Sequence, residues 1–290
     1  MKIALQVNMT RPNAYSVARD VINELNKLDV TVCVQQELSR DFTGFKCNFG
    51  PLNDCIKYSD AVISIGGDGT LIHTAQIAVE YDKPLLGINA GRLGFLAGLE
   101  KSELSLLKKL VCGDYSIDNR MRLSVKHYEG DRLIAEHTCL NDVVIGRGAS
   151  LHLCDIDVSE GDKLVYNYLS DGLIVATPTG STAYSLSSGG PVVDTDIESI
   201  ILTPVCSHSL FSRSIIFKPD TKLEFVVNNC EICEPIFTCD GENGIIMTDK
   251  TRLVVTKSDK YSRIIRIKSD NFYEVLNNKM VERSQFNKEK

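Results

Sequence analysis

Residues 66–70 read Gly66-Gly67-Asp68-Gly69-Thr70 and directly follow an apolar run, Ala61 to Ile65. Glycines at a strand-to-helix turn let a ligand approach the backbone closely. The helix that opens beyond them presents unpaired amides to an anion. Phosphate binding is the chemistry this suits. The segment lacks the Gly-Lys-Ser/Thr of a P-loop and is not a complete GxGxxG. Asp68 is the informative residue, because a carboxylate beside phosphates is repulsive unless it has a second task. It could hold a divalent cation that bridges the phosphates, or take a proton from an attacking hydroxyl. Both point to phosphoryl transfer. The ordinary alternative for such an Asp is a helix N-cap.

Three further stretches carry candidate chemistry. Asn89-Ala90-Gly91-Arg92-Leu93-Gly94-Phe95-Leu96 also follows a short apolar strand. Neighbouring strand ends of an open parallel sheet converge on a ligand crevice. Asn141-Asp142 closes the strand-like run Leu133 to Leu140 and, taken alone, reads as a turn. The block from Ser170 to Ser187, followed by Gly189-Gly190-Pro191, runs from Asp171 through a buried strand into a hydroxyl-rich turn and a short helix. Its hydroxyls, amides and Tyr184 suit a neutral hydrogen-bonding ligand such as a ribose or a base edge.

At these places the chain resembles the NAD kinase family. The segments GGDGT, NAGRLGFL, Asn-Asp and SDG…TPTGSTAYSLSSGGP occur in that family's order, over roughly residues 60 to 245. GGDG alone is shared with several lipid and sugar kinases, whereas its combination with the TPTGSTAYSLS block is specific. The resemblance implies that ATP phosphorylates the 2′-hydroxyl of the adenosine ribose of NAD+, giving NADP+ and ADP. It implies Asp68 as base, Gly69 as its backbone neighbour at the phosphates, and His73 within reach of a phosphate. Asn141 and Asp142 would hold the dinucleotide, and Asp171 its nicotinamide end. Thr182, Ala183, Tyr184, Ser185, Leu186 and Ser187 would line the adenine and ribose. His152 falls where many relatives have a ligand contact, although a lone His in a strand-like run is more often structural. A Mg2+-type cation arriving with ATP is expected, and a homotetramer or homodimer. Two departures touch the dinucleotide contacts. Leu169 stands where many relatives have a basic residue, and Glu242 where many have Gln. The competing readings are a lipid or small-molecule kinase of the GGDG type, and a dinucleotide sensor; a pure sensor gains nothing from Asp68.

The elements that must position these residues are legible as two patterns. Up to about residue 120 strands alternate with helices, which implies a parallel sheet covered on both faces. Lys2 to Val7, Val30 to Val34, Ala61 to Ile65 and Pro84 to Ile88 read as strands. Asn13 to Leu28, Thr70 to Tyr81 and Glu103 to Cys112 read as helices. From Leu123 to Ile267 short alternating runs, the last being Arg263 to Ile267, read as a β-sandwich. The expected architecture is therefore a Rossmann-like α/β domain over 1–120 and a β-sandwich over 121–269. A helix over Asn271 to Val281, within a 270–290 tail, is expected to return to the first domain. A length of 290 residues suits about two domains.

A formal charge of −6 argues against a nucleic-acid partner. The longest uncharged stretch, Gly172 to Val193, is too rich in Ser, Thr, Gly and Pro to span a membrane. With no export signal, a cytoplasmic protein is expected, with its ten cysteines reduced. Cys230-x-x-Cys233 with Cys239 lacks a fourth ligand at zinc spacing.

Overall fold

β-branched runs with no polar face build the first sheet. A computed structural model describes residues 1–91, 94–96, 98–208, 212–268, 273–274 and 276–277. The chain forms two units, Met1–Asn119 with the segment from Ser262, and Arg120–Tyr261. In the first, β1 (Lys2–Val7), β2 (Thr31–Gln35), β3 (Asn48–Gly50), β4 (Ala61–Gly66) and β5 (Leu85–Asn89) pair in parallel, in the order β3-β2-β1-β4-β5. Every residue of β4 and β5 is buried, as expected of strands covered on both faces. The strand Ser262–Arg266 joins β5 in parallel through Ile264 and Leu85, and β6 (Ser116–Arg120) lies beyond it.

The helices are α1 (Ala14–Lys27), α2 (Leu52–Lys57), α3 (Asp68–Ala78) and α4 (Leu107–Cys112). α1 buries Val17, Val21 and Leu25, the stripe expected from their spacing, against β1, β2 and β4. It also meets α4, while α2 and α3 meet each other, so the helices fall into two layers on the sheet. The strand order reverses between β1 and β4. In a doubly wound sheet this switch point is where a ligand crevice opens, outside the carboxyl ends of the strands. The turns after β1 and β4 flank it.

The second unit holds two six-stranded antiparallel sheets. Its strands are β7 (Leu123–Glu129), β8 (Arg132–Cys139), β9 (Asp142–Gly146), β10 (Cys154–Glu160), β11 (Lys163–Ser170) and β12 (Gly172–Ala176). They continue as β13 (Ile200–Val205), β14 (Ile215–Phe217), β15 (Leu223–Val227), β16 (Ile236–Cys239), β17 (Ile245–Ile246) and β18 (Thr251–Lys257). The sheet orders are β11-β10-β15-β18-β7-β8 and β14-β13-β12-β9-β16-β17. One apolar core joins them. Val125, Ile156, Phe225 and Val255 from the first sheet pack with Ile145, Leu173, Leu202 and Phe237 from the second. This is a β-sandwich, as expected.

Four expectations change. Arg263 to Ile267 is read from sequence as a sandwich strand, but the chain returns at Ser262 to the parallel sheet, where Ile264 and Ile265 are fully buried. Its alternating pattern is compatible with either sheet, and only the free edge of β5 decides. Asp142 is not the end of the preceding strand; it opens β9, in the other sheet from β8. The helix expected over Glu103 to Cys112 is a 3-10 turn, Lys101–Leu106, running into α4. Cys33 on β2 and Cys55 on α2 are joined as a disulfide, with Cα atoms 5.7 Å apart, correcting the expectation of ten reduced thiols. Packing of α2 on β2 brings the two into bridging range. Among the described residues no helix is long and apolar enough to cross a membrane, and no group of three His, Cys, Asp or Glu side chains could hold a metal. Tyr273, Glu274, Leu276 and Asn277 are helical; the remainder of the expected Asn271 to Val281 helix, and its docking, lies outside the described residues.

Ile265→Ala tests the strand assignment. Removing this fully buried side chain should cost about 2–5 kcal/mol in urea unfolding. Amide exchange should quicken at Leu85–Asn89 before the antiparallel strands are affected. Loss of protection confined to Leu123–Lys257 would place the strand in the sandwich.

Candidate active site

In the first unit the site grows from the end of β4. Gly67 caps α3 in an extended conformation, so Asp68 occupies the first helical position. Its carboxylate does not cap its own helix. Phe95 N–H donates to Oδ2 at 2.7 Å and Leu96 N–H to Oδ1 at 3.0 Å. The carboxylate therefore pins the loop after β5 beside the glycine turn. Gly94 must be glycine, since a Cβ there would run into the Asp68 carboxylate. Carboxylate oxygens accept more than one hydrogen bond, so this anchoring is compatible with a bond to a substrate hydroxyl. Ala90 N–H donates to Gly66 O at 3.0 Å, a second tie between the two turns. Asn89 folds its own turn, accepting from Gly91 N–H and donating to Glu100. Arg92 and Leu93 of this loop lie outside the described residues.

A third turn joins them from β1. Asn8 N–H donates to Ile65 O at 3.0 Å, and Asn8 Nδ2 donates to Thr70 Oγ1 at 3.0 Å. Gly69 has open space where a side chain would be, consistent with room for a ligand. His73 is exposed, one turn along α3.

In the second unit, Asn141 and Asp142 are adjacent to the hydroxyl-rich turn. Asp142 opens β9 opposite Ala176, the last residue of β12. Thr177 N–H donates to Asn141 O at 2.8 Å, and Thr177 Oγ1 donates to Leu140 O at 2.6 Å. Gly180 presses on the Asn141 carbonyl so closely that a Cβ would clash. A residue that sequence reasoning left without a role holds this corner. Asp240 accepts from the N–H groups of Leu140 (2.7 Å), Asn141 (2.7 Å) and Asp142 (3.1 Å). Its sequence neighbourhood, Asp240-Gly241-Glu242, draws notice only through Glu242.

The hydroxyls of the turn are largely committed to the turn itself. Ser181 Oγ donates to Pro178 O and accepts from Val193 N–H; Thr182 Oγ1 donates to Thr179 O; Ser185 joins Thr203 and Ser214 in a hydroxyl chain. Thr182 and Ser185 are buried. Tyr184, 47% exposed, and Ser187 face solvent, with Ala183 and Leu186 half-buried between them. The part of the block open to a ligand is thus Ala183, Tyr184, Leu186 and Ser187.

Asp171 and His152 do not join this cluster. Asp171 precedes β12, whereas Thr177 follows it, and the five strand residues between them set them roughly 20 Å apart. At that far end Asp171 pairs with Arg147 Nε at 2.8 Å. The charge that a positive nicotinamide ring would meet there is therefore already opposed. His152 is exposed in the loop before β10, not within a strand.

Burial raises the Asp142 carboxyl to about 7, and the neighbouring Asp240 adds repulsion. Asp240 is raised too, by burial, against which its three amides work. The Asp142 carboxyl makes no hydrogen bond with any described residue. A raised pKa means that the folded state holds a proton the unfolded chain has lost. Its stabilisation is complete below about pH 4 and is lost as pH rises through about 7. Stability should therefore fall between pH 5 and pH 8. Asp142→Asn should flatten that fall and raise stability at pH 8, by up to about 4 kcal/mol. Urea midpoints at the two pH values check this; an unchanged slope in the variant would remove Asp142 as its source.

Two family models match: ATP-NAD kinase N-terminal domain over residues 3–115 and ATP-NAD kinase C-terminal domain over 140–267. The NAD kinase of Caldanaerobacter subterraneus subsp. tengcongensis is 37% identical over 286 residues, covering 97% of this chain and 99% of that one. The NAD kinase of Acetivibrio thermocellus is 35% identical over 286 residues, covering 98% and 99%. Two solved structures share the fold at 24% identity. Yeast NADH kinase complexed with NADH has a TM-score of 0.84, covering 96% of this chain and 86% of that one. An Archaeoglobus fulgidus NAD kinase in complex with ATP has a TM-score of 0.74, covering 96% and 98%. With near-complete coverage at such identity, and with glycine turn, Asn-Asp pair and hydroxyl-rich block all in place, this chain belongs to the NAD kinase family.

Proposed function

We propose that this NAD kinase transfers the γ-phosphoryl group of ATP to the 2′-hydroxyl of the adenosine ribose of NAD+, with Asp68 as general base. The observation that carries the assignment is the Asp68 carboxylate, fixed by two backbone amides at the N-terminus of α3 and beside the sheet's switch point. The 2′-oxygen bonds to the γ-phosphorus, the bond from that phosphorus to the β–γ bridging oxygen breaks, ADP leaves, and the hydroxyl proton passes to Asp68 and then to solvent. The amides at the start of α3, with Gly69, suit the phosphates. His73 is a further candidate for phosphate contact.

Asn141 and the Asp142 carboxyl suit ribose hydroxyls, and the exposed edge of Ala183–Ser187 suits the adenosine. The three amides on Asp240 support this by holding the backbone of Asn141 and Asp142 still. Asp171 and His152, at the other end of β12, are candidates for a separate contact.

Positioning and charge neutralisation dominate phosphoryl transfer. A divalent cation of the Mg2+ type, arriving with ATP, would offset the phosphate charge. Asp68 is an oxygen donor of the right kind for it. With no cluster of three metal-ligating side chains among the described residues, most of its ligands would be phosphate oxygens and water. A cytoplasmic homo-oligomer completes the proposal.

Purified protein with ATP, Mg2+ and NAD+ should form NADP+, read by an NADP-specific dehydrogenase. Asp68→Asn should lower turnover at least about 10²-fold. The substitution also sets an NH2 group against one of the two loop amides, so thermal stability should drop too, by about 1–3 kcal/mol. Turnover is therefore measured well below the variant's melting temperature. A folded variant with undiminished turnover would exclude Asp68 as the base.

A further inference from the structure

The switch point has two sides. The β4 side carries the glycine turn, and the other carries the turn between β1 and α1, residues Asn8 to Asn13. That second turn is built as firmly as the first. Asn8 Oδ1 accepts from Thr10 N–H at 3.1 Å and from Thr10 Oγ1 at 2.7 Å, while its Nδ2 holds Thr70 of the glycine turn. Arg11 N–H donates to Asn8 O at 3.1 Å, and Arg11 O accepts from Ala14 N–H at 3.0 Å, so the backbone of Arg11 is tied at both ends.

The Arg11 side chain lies over the glycine turn. A Cβ placed on Gly67 would sit 3.7 Å from Arg11 Nη2 and 4.0 Å from Cζ. Arg11 is exposed, and its guanidinium has no ion pair or hydrogen bond with the described residues. Surface arginines commonly rest on a neighbouring carboxylate. This one rests on a glycine at the N-terminus of α3, where the helix already favours anions. The turn also holds Asp68, whose negative charge opposes a polyanion. A second positive group at that position offsets it.

We propose that Arg11 is a phosphate-binding residue of the ATP half-site, its planar fork taking oxygens of the terminal phosphates beside Gly67. Guanidinium matches phosphate in paired hydrogen bonds, which sets the direction of the transferred group as well as its charge. The proposal rests on the kinase reading given above, and it adds a residue from the β1–α1 turn to that reading.

The test compares the full-length protein with Arg11→Ala and Arg11→Lys. Titrations with ATP, ADP and AMP are followed by turnover with ATP, Mg2+ and NAD+. Arg11→Ala should weaken ATP about ten- to a hundredfold, the scale of a hydrogen bond to a charged group, and AMP less than threefold. The KM for ATP should rise with it, while the KM for NAD+ stays within about twofold. Arg11→Lys should recover part of the loss, since it restores charge without the fork. Melting temperature should not move, because the guanidinium holds nothing else. Equal losses for ATP and AMP, or an unchanged preference for ATP over AMP, would overturn the role. If Arg11→Ala fails to fold, Arg11→Gln is judged by the same ratio. Absence of NADP+ formation by the unsubstituted protein would sink the kinase reading. The triphosphate-to-monophosphate ratio decides Arg11 separately.

Discussion

In each unit an aspartate that accepts backbone amides from a distant loop sets the geometry of the candidate site residues. In the first unit Asp68 takes the N–H groups of Phe95 and Leu96, 27 and 28 residues away. In the second, Asp240 takes three consecutive amides 98 to 100 residues away. Backbone amides in a turn need acceptors, and a carboxylate is the strongest the side chains offer. Both loops are thereby fixed by one charged residue each, and the glycines crowded against them follow from that closeness. Gly94 abuts Asp68, and Gly180 abuts the Asn141 carbonyl that Asp240 helps to place.

The hydroxyl-rich block works on the same principle with weaker groups. Thr177, Ser181, Thr182 and Ser185 spend their hydrogen bonds on neighbouring carbonyls, amides and hydroxyls. They define the shape of the turn, and Tyr184 and Ser187 are what it displays. A pocket held rigid before ligand arrives loses less entropy on binding, which is what such internal commitment provides.

How much of this the sequence disclosed depended on range. Lys2–Val7, Ala61–Gly66 and α1 were legible to within a residue or two, because continuous apolar runs and a 3.6-residue stripe are local signals. The short β3 and α2 were not legible, being too brief to show any period. Asp68 and the Asn141–Asp142 pair stood out by residue type and motif. Asp240 did not, and the Ser262–Arg266 strand was legible as a strand but not as part of the parallel sheet, because both roles exist only through partners far along the chain. The distance between Asp171 and Thr177 follows from β12, since a strand between two residues carries them apart, and the separate ends expected for Asp171 and the Thr182–Ser187 stretch are compatible with it.

The energetics of Asp142 and Asp240 bear on function as well as fold. Two carboxyls buried in one corner lose hydration, and both are raised for that reason, Asp142 further by the charge of Asp240. Asp240 recovers part of that cost through its three amides. Asp142, buried and with no hydrogen-bond partner among the described residues, recovers none. An isosteric amide would fold with less strain at neutral pH, so stability alone does not account for an acid at this position. A ligand hydroxyl would supply the missing partner, and the raised pKa lets the carboxyl either donate or accept near neutrality. On the proposed reading, the cost in the free protein is the complement of a gain on binding, with Asp142 meeting substrate and Asp240 holding it there.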